Sequence, residues 1–331
     1  MKLTYVYIVL QFVFILNNAV VFAQQKTVGF YNLENLFDTV DDKTIKDEEF
    51  LPNGKNEWNE EKYANKLEKM SLVLAAMNLD VVGVSEVENR KVLEDLVTHA
   101  NLKRLGYQII HFDSPDRRGI DVALLYKPRI FRPFSTGMIP VWTAEDPDFI
   151  TRDILLVKGL VGNDTLTVFV NHWPSRRGGK EDKRLLAARV LRSSVDSLFN
   201  LNPEAKIICM GDFNDDPTNR SLKKELRAVG KIEQLENNAL YNTSFTTFKK
   251  GYGTGVYNGS WNLFDQLIVS KSLIKYQENS LHYKLSSFTI FAPKWMQVQA
   301  GEHKGSPYRN FSYGVYQNGY SDHYPVYIIL N

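Results

Sequence analysis

Cysteine is almost absent from the sequence, since Cys209 is the single one among 331 residues. One cysteine excludes an internal disulfide framework and any zinc site built from several thiolates. Cys209 lies in the apolar run 207–210, which is typical of a buried strand. We therefore expect it to pack in the core and to take no part in chemistry.

An excess of charge of either sign is also missing, because 40 basic residues face 38 acidic ones and the net charge is +2. This balance excludes a polycation that coats nucleic acid through net charge alone, although it allows a local basic groove. Hydrophobic residues make up 44% of the chain. That share is enough for a packed core, so wholesale disorder is excluded as well.

Long apolar runs are confined to the N-terminus. Residues 5–16 are almost wholly apolar, Lys2 precedes them, and Ala23 ends a stretch of the kind that a signal peptidase recognises. Polar residues interrupt the run, and a helix needs about 20 apolar residues to span a bilayer, which is more than this run offers. A transmembrane anchor is therefore the weaker alternative. We predict a signal peptide at 1–23, cleavage after Ala23, and a secreted or periplasmic protein without a transmembrane anchor.

The remainder of the chain, 24–331, alternates between strand-like and helix-like segments. Apolar residues at helical spacing predict helices over 60–77, 92–97, 183–199 and 221–228. Short apolar runs predict strands over 27–31, 80–84, 107–111, 121–126, 154–157, 165–170, 207–210, 264–269 and 326–330. Surface loops are predicted at the glycine- and tyrosine-rich stretches 249–261 and 301–320. Since no repeat or low-complexity linker divides the sequence, the pattern indicates one continuous α/β domain.

Acids, amides and histidines recur at the ends of these apolar strands. A rigid sheet holds side chains at its edge with the tolerance that chemistry needs. A single acid at a strand end is ordinary, as a loop or capping residue. The recurrence over six segments instead predicts a shared site, whose members are Asn32, Glu34, Glu86, Asn171, His172, Asp212, Asn214, Asp265, Asp322 and His323.

Oxygen-bearing side chains dominate this set. Oxygen ligands without a cysteine cluster suit Mg²⁺, Mn²⁺ or Ca²⁺ better than zinc. Glu86 is the first candidate ligand, because the apolar strand before it and the short turn after it expose it at a sheet edge. Its neighbour Glu88 is predicted to lie on the surface. Mg²⁺ is the expected cofactor, with Mn²⁺ or Ca²⁺ as alternatives.

Two motifs suggest acid–base chemistry. In the first, which precedes the last strand, His323 needs a carboxylate to hold its tautomer, and Asp265 is the candidate partner. In the second, Gly-Asp-Phe-Asn at 211–214, Asp212 can orient or deprotonate a water and the Asn214 amide can donate to a phosphoryl oxygen. The alternative for the second motif is an Asp/Asn-rich turn that caps a helix.

Positive charge is concentrated in two turns, although the net charge of the whole chain is close to zero. His172 and Arg176 lie in the segment 171–180, where an imidazole and a guanidinium can contact phosphate oxygens. Arg118 lies in a second basic turn. For Arg177 and Lys180 of the same segment, the alternative is solvated loop charge. The arginines of the next helix, Arg184, Arg189 and Arg192, are expected to face mostly solvent.

In this order, the motifs resemble those of the endonuclease/exonuclease/phosphatase superfamily of DNase I-like, metal-dependent phosphoesterases. The similarity covers nearly all of 24–331 and depends on the segments 31–35, 85–86, 171–172, 211–214, 265–270 and 321–323. The resemblance implies an α/β fold, a four-layer αββα sandwich of two packed mixed β-sheets flanked by helices. The segment 173–179 and the turn at Arg118 are similar to those of a secreted bacterial branch of the superfamily.

The resemblance also implies a role for each matching position. The implied metal ligands are Glu86, as the principal one, with Asn32, Glu34 and Asp322. The implied catalytic residues are His323 and Asp265 at the scissile phosphate, Asp212 at the attacking water, and His172. The implied substrate contact is Asn214, and Asn171, Arg118 and Arg176 are predicted as further substrate contacts.

Three functions are open on this interpretation. The first is a secreted nuclease or phosphodiesterase that uses metal-assisted in-line attack of water, with exposed aromatics such as Trp173 and Tyr252 stacking the bases of a nucleic acid. The second is a phosphatase or phospholipase C-like hydrolase of a lipid or sugar phosphate, with 288–295 either facing a membrane or packed in the core. The third, a non-catalytic binding module, is disfavoured because the residue set is complete. No stable protein partner is implied.

Overall fold

The computed structural model describes residues 25–177 and 179–331. The predicted signal peptide, 1–23, lies outside the described residues. Within the described part, no helix combines the length and the apolar character that crossing a membrane requires.

The regular elements are mostly strands. In chain order the strands are β1 (Lys26–Leu36), β2 (Val81–Val87), β3 (Gln108–His111), β4 (Asp121–Tyr126), β5 (Phe131–Ile139), β6 (Ile154–Val161), β7 (Asp164–His172), β8 (Lys206–Asp212), β9 (Ala228–Val229), β10 (Leu240–Asn242), β11 (Gly255–Tyr257), β12 (Ser260–Asn262), β13 (Asp265–Ser270), β14 (Thr289–Ile290), β15 (Phe311–Ser312), β16 (Val315–Tyr316) and β17 (Val326–Leu330). The α-helices are α1 (Glu60–Met77), α2 (Arg90–Thr98), α3 (Glu181–Leu201) and α4 (Phe245–Lys249).

These strands form two large mixed sheets. The first has the order β14-β17-β1-β2-β4-β3, and the second has the order β5-β6-β7-β8-β13-β10-β9. Parallel pairs lie near the centre of each, β1 with β2 and β7 with β8, and their other neighbours run antiparallel. Two short hairpins, β11–β12 and β15–β16, lie outside the large sheets.

The two sheets pack face to face through one apolar core. Side chains alternate between the faces of a strand, so Phe30 of β1 and Met210 of β8 point between the sheets while Tyr31 and Cys209 point outward. The sheets approach so closely at Gly83 that a Cβ there would lie 2.7 Å from Sδ of Met210.

Helices cover the outer faces of both sheets. Met70 and Leu74 of α1 and Leu96 of α2 pack on the outer side of the first sheet, and Leu191 and Val195 of α3 pack on that of the second. The layers therefore run helix, sheet, sheet, helix. The predicted four-layer αββα sandwich is confirmed, and the buried Cys209 belongs to its core.

Several sequence expectations about single elements were wrong. The edge strand β5 was not predicted, and the expected helix 221–228 is a π-helical turn at Ser221–Glu225 followed by β9. Arg184 and Arg192 are 6% and 4% exposed and do not face solvent. Their charged heads bond inward, to Asp215 and to the carbonyl oxygen of Leu226.

Candidate active site

The alternation of side chains along the strands brings the chemical residues into the gap between the sheets. Asn32 lies two residues after the inward-facing Phe30 and therefore on the inward face of β1. Asp212 follows Met210 by the same spacing and lies on the inward face of β8. The same period applies to His172 on β7 and Asp265 on β13. In register, Asp212 is paired with His172 on one side and with Asp265 on the other.

Glu86 reaches this gap through an irregularity in β2. The pairing of β2 shifts between Ser85 and Val87, and Glu86 adopts a left-handed backbone conformation with φ of 59°. Such a conformation costs about 1–3 kcal/mol for a residue other than glycine. The bulge turns the carboxylate toward the site, where its Oε2 accepts a 3.0 Å hydrogen bond from the backbone N–H of Asn35.

Asn32 connects the two sheets at the centre of the site. Its Nδ2 donates to Oε1 of Glu86 and to Oδ2 of Asp212, at 3.1 Å in each case. Burial raises the pKa of Asp212 to about 7, with Asp265 adding to the effect and His323 opposing it. A carboxyl group that titrates near neutrality is suited to accept a proton from a water.

His323 and Asp265 form the predicted pair. Nδ1 of His323 lies 2.6 Å from Oδ2 of the buried Asp265, and its Nε2 lies 3.8 Å from Oδ2 of Asp212. Burial opposes the charged imidazole, but Asp265 and Asp212 outweigh it and hold the pKa of His323 well above its ordinary value. The pair therefore presents an imidazolium to the cleft at neutral pH.

His172 lies on the opposite side of the same carboxylates. Its Nε2 is 3.7 Å from Oε1 of Glu86 and 3.7 Å from Oδ2 of Asp212. Burial and the charge of Arg152 hold the pKa of His172 well below its ordinary value, so this imidazole is neutral. The two histidines of the site thus differ in charge because their surroundings differ.

Arg152 is a residue of this site that the sequence analysis missed. It is buried, and it donates to the carbonyl oxygen of Trp173 at 2.8 Å and to Oδ2 of Asp116 at 3.3 Å. Its Nε is buried without a hydrogen-bond partner among the residues described. Arg152 precedes β6 in an irregular segment, so no strand-end pattern marks it in the sequence.

A second group of charges surrounds Glu34 and Asp322. The guanidinium of Arg309 bridges them, with Nε at 3.3 Å from Oε1 of Glu34 and Nη2 at 2.9 Å from Oδ2 of Asp322. The amine of Lys66 is buried beneath them and donates to the carbonyl oxygen of Tyr320 at 2.7 Å. Burial and Asp322 raise the pKa of Glu34 to about 7, whereas burial lowers that of Lys66 to about 8. Arg309 and Lys66 were not predicted, because nothing local in the sequence links them to the motifs.

The two predicted amide contacts are partly or wholly used inside the protein. Nδ2 of the fully buried Asn171 donates to the carbonyl oxygens of Phe169 and Met210, at 3.4 and 3.1 Å. Nδ2 of Asn214 donates to the carbonyl oxygen of Trp173 at 2.9 Å. Trp173 is 1% exposed, so it is part of the core and not the stacking surface that we expected.

The two predicted arginine contacts have different surroundings. Arg118 is exposed over 57% of its side chain, and its Nε lies 3.3 Å from Oδ1 of Asp116. Arg176 instead donates to the carbonyl oxygen of Asn214 and to side chains of Asn262 and Asp216, at 2.9–3.0 Å. The structure therefore places Arg118 at the rim of the site and Arg176 inside the loop framework. A substrate contact through Arg176 stays a prediction without geometric support.

The donor set fits a hard divalent cation. Oε1 of Glu86 and Oδ2 of Asp212 both accept a hydrogen bond from the amide of Asn32. Among residues 25–177 and 179–331, no lysine or arginine forms an ion pair with either carboxylate. Ligand atoms of Asp212, Asp265 and His323 also lie within 4.8 Å of one another. Carboxylate oxygens that converge on one point without a lysine or arginine partner are ligands that suit Mg²⁺ or Mn²⁺.

Together, the αββα sandwich and a strand-end cluster of carboxylates, amides and histidines define a DNase I-like phosphoesterase fold. The sequence model of the Endonuclease/Exonuclease/phosphatase family matches residues 27–331. The chain therefore belongs to this family of phosphoesterase hydrolases, whose members are typically dependent on divalent metal ions.

Solved structures with low sequence identity share the fold. TDP2 from D. rerio, in a complex with single strand DNA product, is 14% identical, with a TM-score of 0.57 over 93% of this chain and 99% of its own. A mannosyl-6-phosphatase from Bacteroides thetaiotaomicron is 17% identical, with a TM-score of 0.55 over 92% and 99%. An endonuclease/exonuclease/phosphatase family protein from the same species is 18% identical, with a TM-score of 0.54 over 93% and 97%. No curated protein matches the sequence significantly.

Proposed function

We propose that this protein is an exported, metal-dependent phosphodiesterase whose substrate is a nucleic acid. The observation that carries the proposal is the Asp265–His323 pair, joined at 2.6 Å, with the imidazole 3.8 Å from the Asp212 carboxylate that Asn32 links to Glu86. The His323 imidazolium, the buried Asp212 that titrates near neutrality and the Glu86 carboxylate that can hold a metal ion are groups that water attack on a phosphoester uses.

Glu86 and Asn32 would hold the metal, with Asp212 beside them. Mg²⁺ is the ion that we propose, and when bound it would neutralise charge that develops on the phosphoryl oxygens. The amide of Asn32 now presents Nδ2 to the carboxylates, and turning the amide over would present Oδ1 instead.

The remaining groups act on the substrate and the water. His323, held as an imidazolium by Asp265, neutralises a phosphoryl oxygen. Asp212 orients the attacking water and takes its proton, which its pKa of about 7 permits. The neutral His172 donates to a second oxygen, and Arg118 attracts the phosphate from the rim.

A panel of substrates tests the nuclease assignment. Purified protein is incubated with plasmid DNA, single-stranded DNA and single-stranded RNA, each with Mg²⁺ or with EDTA, and His323→Ala serves as the control for contaminating nuclease. We expect Mg²⁺-dependent cleavage of nucleic acid by the wild type alone. Intact nucleic acid in the presence of folded protein and Mg²⁺ would contradict the assignment.

A sugar phosphate is the second candidate substrate, and the likeness to a mannosyl-6-phosphatase favours it as much as the likeness to TDP2 favours DNA. The lipid alternative has less support, because Phe288 is buried and 289–290 is strand β14, so this part of 288–295 packs on the sheet. Adding mannose 6-phosphate, with release of inorganic phosphate as the readout, and phospholipid vesicles, with release of the phosphorylated headgroup as the readout, separates the three substrates.

Export depends on the N-terminal prediction alone. We propose that residues 1–23 direct the chain out of the cytoplasm and are removed after Ala23. Expression of the full sequence in a bacterial host, followed by mass spectrometry of the periplasmic and secreted fractions, tests this. We expect an N-terminus at Gln24, and a cytoplasmic protein that retains Met1 would contradict the proposal.

A further inference from the structure

The cleft contains two pairs of carboxylates that differ in how their charge is balanced. The basic side chains within ion-pair distance of Glu86 and Asp212 are, in the described part of the chain, the histidines His172 and His323. Glu34 and Asp322 are instead bridged by the guanidinium of Arg309. The sequence resemblance assigns Glu34 and Asp322 to a metal, so their partner in the structure is unexpected.

The oxygens of Glu34 are both used by the protein. Oε1 accepts from Nε of Arg309 at 3.3 Å, and Oε2 accepts from the backbone N–H of Asn310 at 2.7 Å. Glu34 is 5% exposed and has a left-handed φ of 49°, so its carboxylate is held in this direction by the backbone as well as by its partners. A cation could reach these oxygens only by displacing Arg309.

The positive charge beside this pair is permanent. An arginine stays protonated at every pH at which the protein is folded, and its planar fork fits carboxylates on two sides. Lys66 adds a second cationic group from below, buried in α1 and anchored to the carbonyl oxygen of Tyr320. Glu34 and Asp322 are thus bridged directly by a guanidinium, whereas in the described part of the chain no lysine or arginine lies within ion-pair distance of Glu86 or Asp212. Lys66 and Arg309 act on Glu86 only from a greater distance.

We propose that Arg309 and Lys66 take the place of a metal ion at Glu34 and Asp322, so that the cleft binds one divalent cation, at Glu86. Arg309 lies in the segment 301–320, outside both large sheets, and this segment brings the guanidinium to the two carboxylates. This inference rests on the metal-dependent function proposed above. It revises the resemblance-based roles of Glu34 and Asp322, which become the acceptors that position Arg309.

Metal stoichiometry tests the inference without any measurement of activity. Mn²⁺ is titrated into metal-free protein, and bound ions are counted from the electron paramagnetic resonance signal of free Mn²⁺. We expect one ion that depends on Glu86 in the wild type, an affinity at least tenfold weaker in Glu86→Gln, and one additional ion in Arg309→Met. Arg309→Lys, which keeps the charge, and Arg189→Met, which removes an exposed arginine on α3, should both stay at the wild-type count.

The outcomes separate this inference from the function on which it rests. A second ion in the wild type that is lost in Glu34→Gln overturns the role of Arg309 and leaves metal dependence intact. An unchanged count in an Arg309→Met protein with the wild-type circular dichroism spectrum also overturns it. If Arg309→Met does not fold, the wild-type and Glu34→Gln counts still decide. A wild type that binds no Mn²⁺ at Glu86 removes the metal premise and, with it, both proposals.

Discussion

The hydrogen bond between Asp265 and His323 determines the charge of the cleft more than any other single contact. Asp265 is fully buried at the start of β13, where Oδ2 contacts the imidazole and Oδ1 has no hydrogen-bond partner among the described residues. A buried carboxylate of this kind orients an imidazole and stabilises its protonated form. The charge on His323 therefore depends on Asp265.

Removing that carboxylate charge should change the histidine first. We expect Asp265→Asn to lower the pKa of His323 toward its ordinary value and to reduce turnover by about 10²–10⁴-fold. Nuclear magnetic resonance titration of the imidazole measures the pKa directly. A His323 pKa that is the same in the variant and the wild type would contradict the role given to Asp265.

Glu88 provides a separate prediction, about stability. It is 4% exposed, although a surface position was expected from the sequence, and burial with nearby acids raises its pKa from 4.5 to about 8. Between pH 4.5 and about pH 8, Glu88 loses its proton in the unfolded chain and keeps it in the folded chain. The free energy of unfolding therefore falls as pH rises through this window, by up to about 1.4 kcal/mol per pH unit.

Urea unfolding at several pH values between 5 and 8 checks this sign. The Glu88→Gln variant cannot ionise at this position, so its stability should depend less on pH than that of the wild type. Equal pH slopes for the two proteins would show that Glu88 ionises in the folded state as it does in the unfolded one.

Single residues were predictable where they follow a strand and unpredictable where they do not. Asn32, Asp212 and His172 lie at the inner ends of apolar strands, so the two-residue period places them together. Arg152 and Arg309 reach the same cleft from irregular segments, and their partners are distant in the sequence. Side chains that meet through tertiary packing alone leave no local pattern to read.

At the scale of elements, the loop after β8 is fixed by one partly buried guanidinium. Arg176 contacts the carbonyl oxygen of Asn214 and the side chains of Asn262 and Asp216, and its head lies 4.7 Å from the ring centroid of Phe264. The loops that follow β7, β8 and β12 are thus held together beside the site.

Arg176→Met should therefore reduce stability and not only substrate affinity. We expect a loss of about 2–4 kcal/mol in the free energy of unfolding, since hydrogen bonds to charged groups are removed and their acceptors stay partly buried. Arg189→Met is the matched control, because its partner Glu225 forms an exposed pair worth about 1 kcal/mol or less. A raised KM with wild-type stability would instead support the substrate contact predicted from the sequence.

Elements with a clear periodic pattern were predicted and irregular ones were not. The helix 60–77 and the strands 121–126 and 326–330 were predicted at the bounds that the structure has. Strand β5 contains Pro133 and Gly137, which obscure a strand pattern, and it is tolerated because an edge strand pairs on one side only.

At the scale of the whole molecule, the two sheets approach each other closely just below the site. Gly83 lies at this approach, where an added Cβ would meet Met210 at 2.7 Å and Val170 at 3.0 Å. The position is occupied by glycine because both sheets need the space. Any side chain here pushes the sheets apart just below Asn32 and Asp212.

Gly83→Val should overpack this contact and destabilise the protein by about 1–3 kcal/mol. Gly137→Val is the matched control, since no heavy atom of the described residues outside its own neighbours lies within 4 Å of an added Cβ there. Urea unfolding of both variants measures the difference. Equal stability of the two would contradict the close sheet contact.

The four-layer architecture was predictable from the ordered motifs, and its size is consistent with the continuous family match from 27 to 331. The substrate was not predictable in the same way. It depends on rim residues such as Arg118 and on the segments 249–261 and 301–320, which form short hairpins and turns with few apolar constraints. Fold follows from buried periodicity, whereas specificity lies in surface residues that no such periodicity marks.

The rate of phosphodiester hydrolysis, with and without divalent metal, tests the central claim most directly. Bis(p-nitrophenyl) phosphate is incubated with the wild type, Glu86→Gln and His323→Ala, in Mg²⁺ or EDTA, after circular dichroism has verified that each is folded. We predict turnover by the wild type in Mg²⁺ alone, and losses of about 10²-fold or more in both variants. Hydrolysis that persists in EDTA, or wild-type rates in both variants, would contradict the claim that this cleft is a metal-dependent phosphoesterase site.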